Sequence, residues 1–147
     1  MTTITTLSDL ISQVESNGNP LAVRFEPAHN PAAHFVLQMQ SLCSCSYDTA
    51  KTLCSMSWGE FQIMGDELIA LGLAVSPLAY VQDRAMQEEF FQRYICADHL
   101  SITLQDVLTD PAKRRLFARL YNGPGNVDAY AARMELIAQH FGLQVTA

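Results

Sequence analysis

Hydrophobic spacing constrains this chain most: apolar residues recur every three or four positions, and strict alternation is nearly absent. Leu7, Leu10, Ile11 and Val14 fall at i, i+3, i+4 and i+7, which puts one apolar stripe on a helix, and Asn17-Gly18 ends it. Three pairs, Asn30-Pro31, Ser76-Pro77 and Asp110-Pro111, place a capping residue before a proline, as at the first positions of a helix. The spacing predicts a second helix from Pro31 through the Phe35, Met39 and Leu42 face. A third spans about Pro77 to His99 with Met86, Phe90 and Tyr94, and a fourth Pro111 to Tyr121 with Leu116, Phe117 and Leu120 apolar. The last runs from Val127 to Phe141, with Ala131, Met134, Ile137 and Ala138 on one side. Only Leu21 to Phe25 and Phe61 to Met64 fit short extended pieces. No repeat or linker divides the chain, so the expected fold class is mainly α, one domain over residues 1–147.

Charge and composition exclude several functions. Lys and Arg number 9 against 15 Asp and Glu, a net charge of −6. Nucleic acid is therefore not an expected partner, because phosphate contacts need clustered cations. The same balance opposes an electrostatic anchor on anionic membranes. Hydrophobic residues reach 49% and charged ones only 16%, below the roughly 25% of an average domain, so a compact core is expected. No apolar run reaches the roughly 20 residues of a membrane span, and stable membrane insertion is not expected. The N-terminal MTTITTLSDLISQVES lacks the basic and unbroken apolar regions of a signal peptide. Cys43, Cys45, Cys54 and Cys96 form no C-x-x-C pair and read as reduced thiols. His29, His34, His99 and His140 are scattered, without an H-E-x-x-H arrangement. Neither a metal nor any other cofactor is called for.

Three segments resist a purely helical account, because they combine Gly and Asn with apolar and aromatic residues. They are Glu15 to Pro20, Ser57 to Gly65 and Tyr121 to Asn126. Turns explain Gly, Asn and Pro, but not the only Trp of the chain, nor Gln62 inside an apolar run. Glu15 lies on the shoulder of the first helix's apolar stripe and in its last turn. Partial burial and the negative end of the helix dipole both favour a protonated carboxyl there. Such an acid can donate its proton to a leaving oxygen. An arbitrary helical Glu is most often a solvated surface residue, so position alone makes Glu15 a candidate.

Taken together, Glu15-Ser16-x-Gly18-Asn19-Pro20, Ser57-Trp58-Gly59-x-Phe61-Gln62-Ile63-Met64-Gly65 and Tyr121-Asn122-Gly123-Pro124-Gly125 resemble the motifs of lysozyme-like peptidoglycan-cleaving enzymes. The chain is most similar to phage endolysin N-acetylmuramidases, with lytic transglycosylases further off, and Phe25-Glu26 resembles the first half of that family. The likeness runs from about Ile11 to Phe141. It implies a two-lobed helical lysozyme-like domain with a substrate cleft, and Glu15 as the general acid on the β-1,4 bond between N-acetylmuramic acid and N-acetylglucosamine. Ser57, Gly59, Gln62, Tyr121, Asn122 and Tyr130 are the implied substrate contacts. An N-acetyl group suits amide partners such as Gln62, and tyrosines stack on sugar faces. Trp58, Phe61, Ile63 and Met64 read better as core.

The second carboxylate is open. Glycosidases of the two-carboxylate kind, for which lysozyme is the type case, hold the pair about 5–5.5 Å apart for retention or about 6.5–9.5 Å for inversion. Glu26 is the first choice, Glu60 the second and Asp48 the third, although the family more often has an apolar residue where Glu60 stands. Two other functions remain: a lytic transglycosylase that forms 1,6-anhydro-muramic ends, and a non-catalytic peptidoglycan-binding virion protein. The expected partner is the bacterial glycan strand, met by a monomer. Without a signal, a protein made in the host cytoplasm would reach the wall through a holin lesion or as virion cargo.

Overall fold

The computed structural model describes residues 3–97 and 101–146. Their elements run α1 (Leu7–Ser16), β1 (Val23–Phe25), α2 (Ala33–Cys43), α3 (Tyr47–Cys54), β2 (Met56–Trp58), β3 (Ile63–Met64), α4 (Gly65–Ala70), α5 (Pro77–Val81) and α6 (Arg84–Ala97). Then follow α7 (Leu104–Thr109), α8 (Pro111–Asn122), a 3-10 turn (Pro124–Asn126) and α9 (Val127–His140). The architecture is mainly α, with one small antiparallel sheet in the order β1-β2-β3. No helix among the described residues is long and apolar enough to cross a membrane. Contacts divide into two compact units, residues 1–18 with 94–147 and residues 19–93.

In the first unit, α1 packs on α9, α9 on α8, and α8 on α7. Thr6 caps α1 and forms a capping box with Asp9: the Thr6 hydroxyl accepts from the Asp9 N–H, and the Asp9 carboxylate accepts from the Thr6 N–H. Leu10, Ile11 and Val14 are fully buried, as their spacing requires, and meet a core that includes Phe117, Met134 and Ala138. Asn17 closes α1 in the left-handed conformation, φ 55°. Asp110 caps α8 by accepting from the Ala112 and Lys113 N–H groups. On α8 only Phe117 of the three expected apolar residues is buried; Leu116 and Leu120 face outward. The face α8 turns to the core instead includes Arg114, whose guanidinium donates to the Val107 and Thr146 carbonyls.

The second unit sets the sheet among α2 to α5 and the start of α6. Val23 pairs with Trp58 and Phe25 with Met56, while Trp58 pairs with Ile63 across the β2–β3 hairpin. Trp58, Phe61 and Ile63 are buried, and Phe61 stacks on Phe91 at 4.5 Å. The Trp58 indole N–H donates to the Leu53 carbonyl at 3.0 Å, which satisfies its polar edge inside the core. Cys43, Cys45 and Cys54 are free thiols here; burial, reinforced by Asp66, pushes the Cys54 thiol up to about 12.

Two helix expectations need correction. Asn30-Pro31 does not open α2: the helix starts at Ala33 with Ala32 at the cap and no side-chain capping bond. The predicted third helix is two, because α5 ends at Val81 and Asp83 restarts the chain by accepting from the Met86 N–H; its expected end at His99 lies outside the described residues. Ser76 does cap α5 as expected. The short helices α3, α4 and α7, and strand β2, have no counterpart in the spacing analysis. They are only three to eight residues long, and windows that short carry no periodicity.

The first unit stands on the α1 stripe. Leu10→Ala is expected to destabilise the protein by about 3 kcal/mol, the usual cost of such a core cavity, read as a lowered midpoint in urea. An unchanged midpoint would contradict the packing described.

Candidate active site

Glu15 sits in the last turn of α1, half-buried. The Tyr130 hydroxyl, from the first turns of α9, donates to Glu15 Oε1 at 2.5 Å. Tyr130 is itself buried, at 7% exposure. Burial, then the charge of Glu15 and the hydrogen bond to it, push its phenol well above its ordinary value of 10. Aromatic rings extend this arrangement: Tyr121 lies 6.3 Å from Tyr130, stacks on Phe117 at 5.3 Å and meets Tyr94 edge-on at 5.4 Å. Gly123, at φ 84°, ends α8 and turns the chain through Pro124–Asn126 into α9. That turn leaves Asn122 exposed and Tyr121 half-buried. Glu15 of the first motif and Tyr121 of the third thus lie in one unit, joined through Tyr130.

The second motif is the β2–β3 hairpin. Its Gly59 N–H donates to the Ala22 carbonyl at 2.8 Å, and Gln62, in the left-handed conformation at φ 52°, closes the turn by donating its N–H to Gly59. The Gln62 amide donates to the Gly59 and Ala22 carbonyls and accepts from the Ser57 hydroxyl at 2.8 Å. Ser57 is buried. The polar groups of both residues are therefore engaged within the hairpin. Gly59 is required twice over: φ is 76°, and a Cβ there would lie 2.3 Å from Gln87 Oε1.

The three candidate second carboxylates differ sharply. Glu60 is buried in the hairpin turn, its carboxylate held by Arg84 through Nε at 3.3 Å and Nη2 at 2.9 Å. Its own N–H donates to Gln87 Oε1 at 2.7 Å, and the Gln87 amide N–H2 reaches the Pro20 and Val81 carbonyls. Glu26 follows β1, with a side chain one-third exposed and an Arg24 Nε hydrogen bond at 2.5 Å. Its backbone N–H donates to the Ser55 carbonyl. Asp48 is exposed in the first turn of α3 and lines a cavity of about 380 Å³ with Phe25, His29 and Lys51.

Sequence reasoning missed the roles of four residues that hold this unit together. Arg84 and Gln87 brace the hairpin from α6, and His29 pairs with the buried Asp66 at 2.7 Å. His29 and Asp66 are 37 positions apart, so no local signal joins them. No group of three or more metal-ligating side chains occurs among the described residues.

A model of the N-acetylmuramidase family matches residues 29–142 of this chain. The chain belongs to the N-acetylmuramidase family. The endolysin of Enterobacteria phage PRD1 is 32% identical over 149 aligned positions, which cover 95% of this chain and 98% of that protein. No solved structure matches. Family membership makes the chain a peptidoglycan-degrading enzyme. The family segment contains the hairpin and the Tyr121 turn, and it begins after Glu15 and Glu26.

Two phenols provide a pH test of this muramidase's interior. Tyr80 is fully buried with its hydroxyl unbonded, and burial followed by the Glu60 charge raises its ionisation, as burial and Glu15 do for Tyr130. A phenol raised in the folded state contributes stability below pH about 10 that is lost as pH rises beyond it. In a phenolate absorbance titration, Tyr80 and Tyr130 should ionise only with alkaline unfolding, and Tyr130→Phe should remove one delayed step. Ionisation of all five tyrosines in one step near pH 10 would refute the burial of both.

Proposed function

We propose that this muramidase hydrolyses the β-1,4 bond between N-acetylmuramic acid and N-acetylglucosamine, with Glu15 as the general acid. The observation that carries the reading is the Tyr130–Glu15 contact. A general acid must stay within hydrogen-bond reach of the leaving oxygen and keep one geometry. By donating to Oε1, the buried phenol fixes the orientation of the Glu15 carboxyl group. Because Tyr130 holds its own proton well above pH 10, it stays a donor throughout the working range and does not compete as a base.

Glu26 is the better second carboxylate. Glu60 spends both oxygens on Arg84 in a buried site, and freeing a buried partner from such a pair is costly. Glu26 keeps one oxygen outside its Arg24 bond and is partly open to solvent, as a group that activates water or stabilises an oxocarbenium ion requires. Tyr121 and Asn122 are the glycan contacts beside Glu15, whereas the buried Gly59 serves the turn. The name of the PRD1 relative supports a lysis role: a monomer made in the host cytoplasm that reaches the wall through a membrane lesion such as a holin provides, or with a virion.

Glu15→Gln is expected to lower the rate on permeabilised cells by about 10²–10⁴-fold, the contribution of a positioned general acid, without a change in thermal midpoint of more than a few degrees. Mass spectrometry of digested peptidoglycan should show new reducing N-acetylmuramic ends. Anhydro-muramic ends would make the enzyme a lytic transglycosylase instead, and undiminished lysis by Glu15→Gln would remove Glu15 from the mechanism.

A further inference from the structure

Among nine Lys and Arg in the chain, four fall between positions 113 and 119 of α8. Lys113 is paired with Asp106 at 2.5 Å, Arg114 is buried against backbone carbonyls, and Arg115 is paired with Asp128. Arg119 has no hydrogen bond or ion pair among the described residues. Arg115 and Arg119 lie one turn apart and line a cavity of about 640 Å³ bounded by α8 and residues 124–129. This is within the roughly 300–1,000 Å³ of small-ligand sites. Leu116, Pro124 and Val127 give the cavity apolar walls, so it offers guanidinium charge beside small hydrophobic surface.

We propose that this cavity is a subsite for the peptide stem of peptidoglycan, with Arg119 binding a stem carboxylate and the apolar walls receiving the stem's alanine methyls. The inference rests on the glycan-cleavage reading above and adds a determinant of specificity to it. Position supports it: Asp128 and Ala129 line the cavity, while the next residue, Tyr130, holds Glu15. The cavity and the general acid are thus served by the same turn of α9. Neighbouring residues of a helix about 10–12 Å across are turned by about 100°, so the arc from Tyr130 to Ala129 is about 9–10 Å. Three extended stem residues reach about 10 Å, enough to span that arc. The chemistry fits as well. A guanidinium fork pairs with a carboxylate through two parallel hydrogen bonds, and the Arg115–Asp128 pair holds the rim of the cavity while Arg119 supplies its net positive charge. In a chain of net charge −6, a free arginine beside a cavity favours an anionic ligand locally.

The test compares intact peptidoglycan with the same glycan stripped of stems by an amidase. The ratio of kcat/KM for stemmed over stem-free glycan should fall about tenfold in Arg119→Gln, mostly through KM, and recover in part in Arg119→Lys. A ratio equal to that of the parent overturns the proposal, and so does an equal loss on both substrates. Independently of turnover, an alanyl-glutamyl-diaminopimelate tripeptide should shift the amide signals of Gly125 and Ala129 in the full chain, and Arg119→Gln should abolish the shift. Absence of that shift in the parent overturns the stem subsite even if lysis is normal, whereas absence of new glycan ends with the shift retained overturns the cleavage reading and leaves the stem site standing.

Discussion

The hydrogen bond from Tyr130 to Glu15 links residues 115 positions apart, and much of the first unit serves to hold it. Glu15 lies at the end of α1, and Tyr130 lies at the start of α9. Each helix buries a continuous apolar face: Leu10, Ile11 and Val14 on one, Ala131, Met134 and Ala138 on the other. Close packing fixes both helix ends far more firmly than a single exposed contact can. A buried phenol needs a hydrogen-bond partner, and the Glu15 carboxyl supplies it; the same contact fixes the orientation of that carboxyl group.

The second unit uses the same economy on backbone. The turn from Gly59 to Gln62 is tight, with two left-handed residues, and its donors and acceptors are closed by Ser57, Gln62 and Gln87. Glu60 at its centre is neutralised by Arg84. A buried carboxylate needs such a partner, because its isolated charge is prohibitive away from water. That explains how an acidic residue can stand buried in this turn.

How much was legible in the sequence depended on whether a signal is local. The stripe of α1, its Asn17 end, the Asp110-Pro111 start of α8 and the span of α9 are all written within one or two turns of chain, and they appear as expected. Resemblance carried the family and the three motifs. Asn30-Pro31 misled because a capping residue before a proline is also an ordinary loop pair, and the chain stays extended until Ala33. The α5–α6 break was hidden because the apolar spacing continues across it, and only the Asp83 cap marks it. Leu116 and Leu120 fit the apolar spacing of α8 as well as Phe117 does, yet both are exposed and only Phe117 is buried.

The sequence by itself determined the mainly helical class, the acidic character and the candidacy of Glu15, because each follows from residue type, spacing or order. Tertiary structure alone decided which partner each polar group takes. It gave Tyr130 to Glu15, Arg84 to Glu60 and Asp66 to His29, pairs that no short-range pattern encodes. The physical reason is that a charge or hydroxyl is satisfied by whatever the packed core brings within about 3 Å, and packing is a property of the whole chain. A glutamate's place in the sequence made it a possible acid; the phenol brought to it from the far end of the chain gives that acid a fixed orientation.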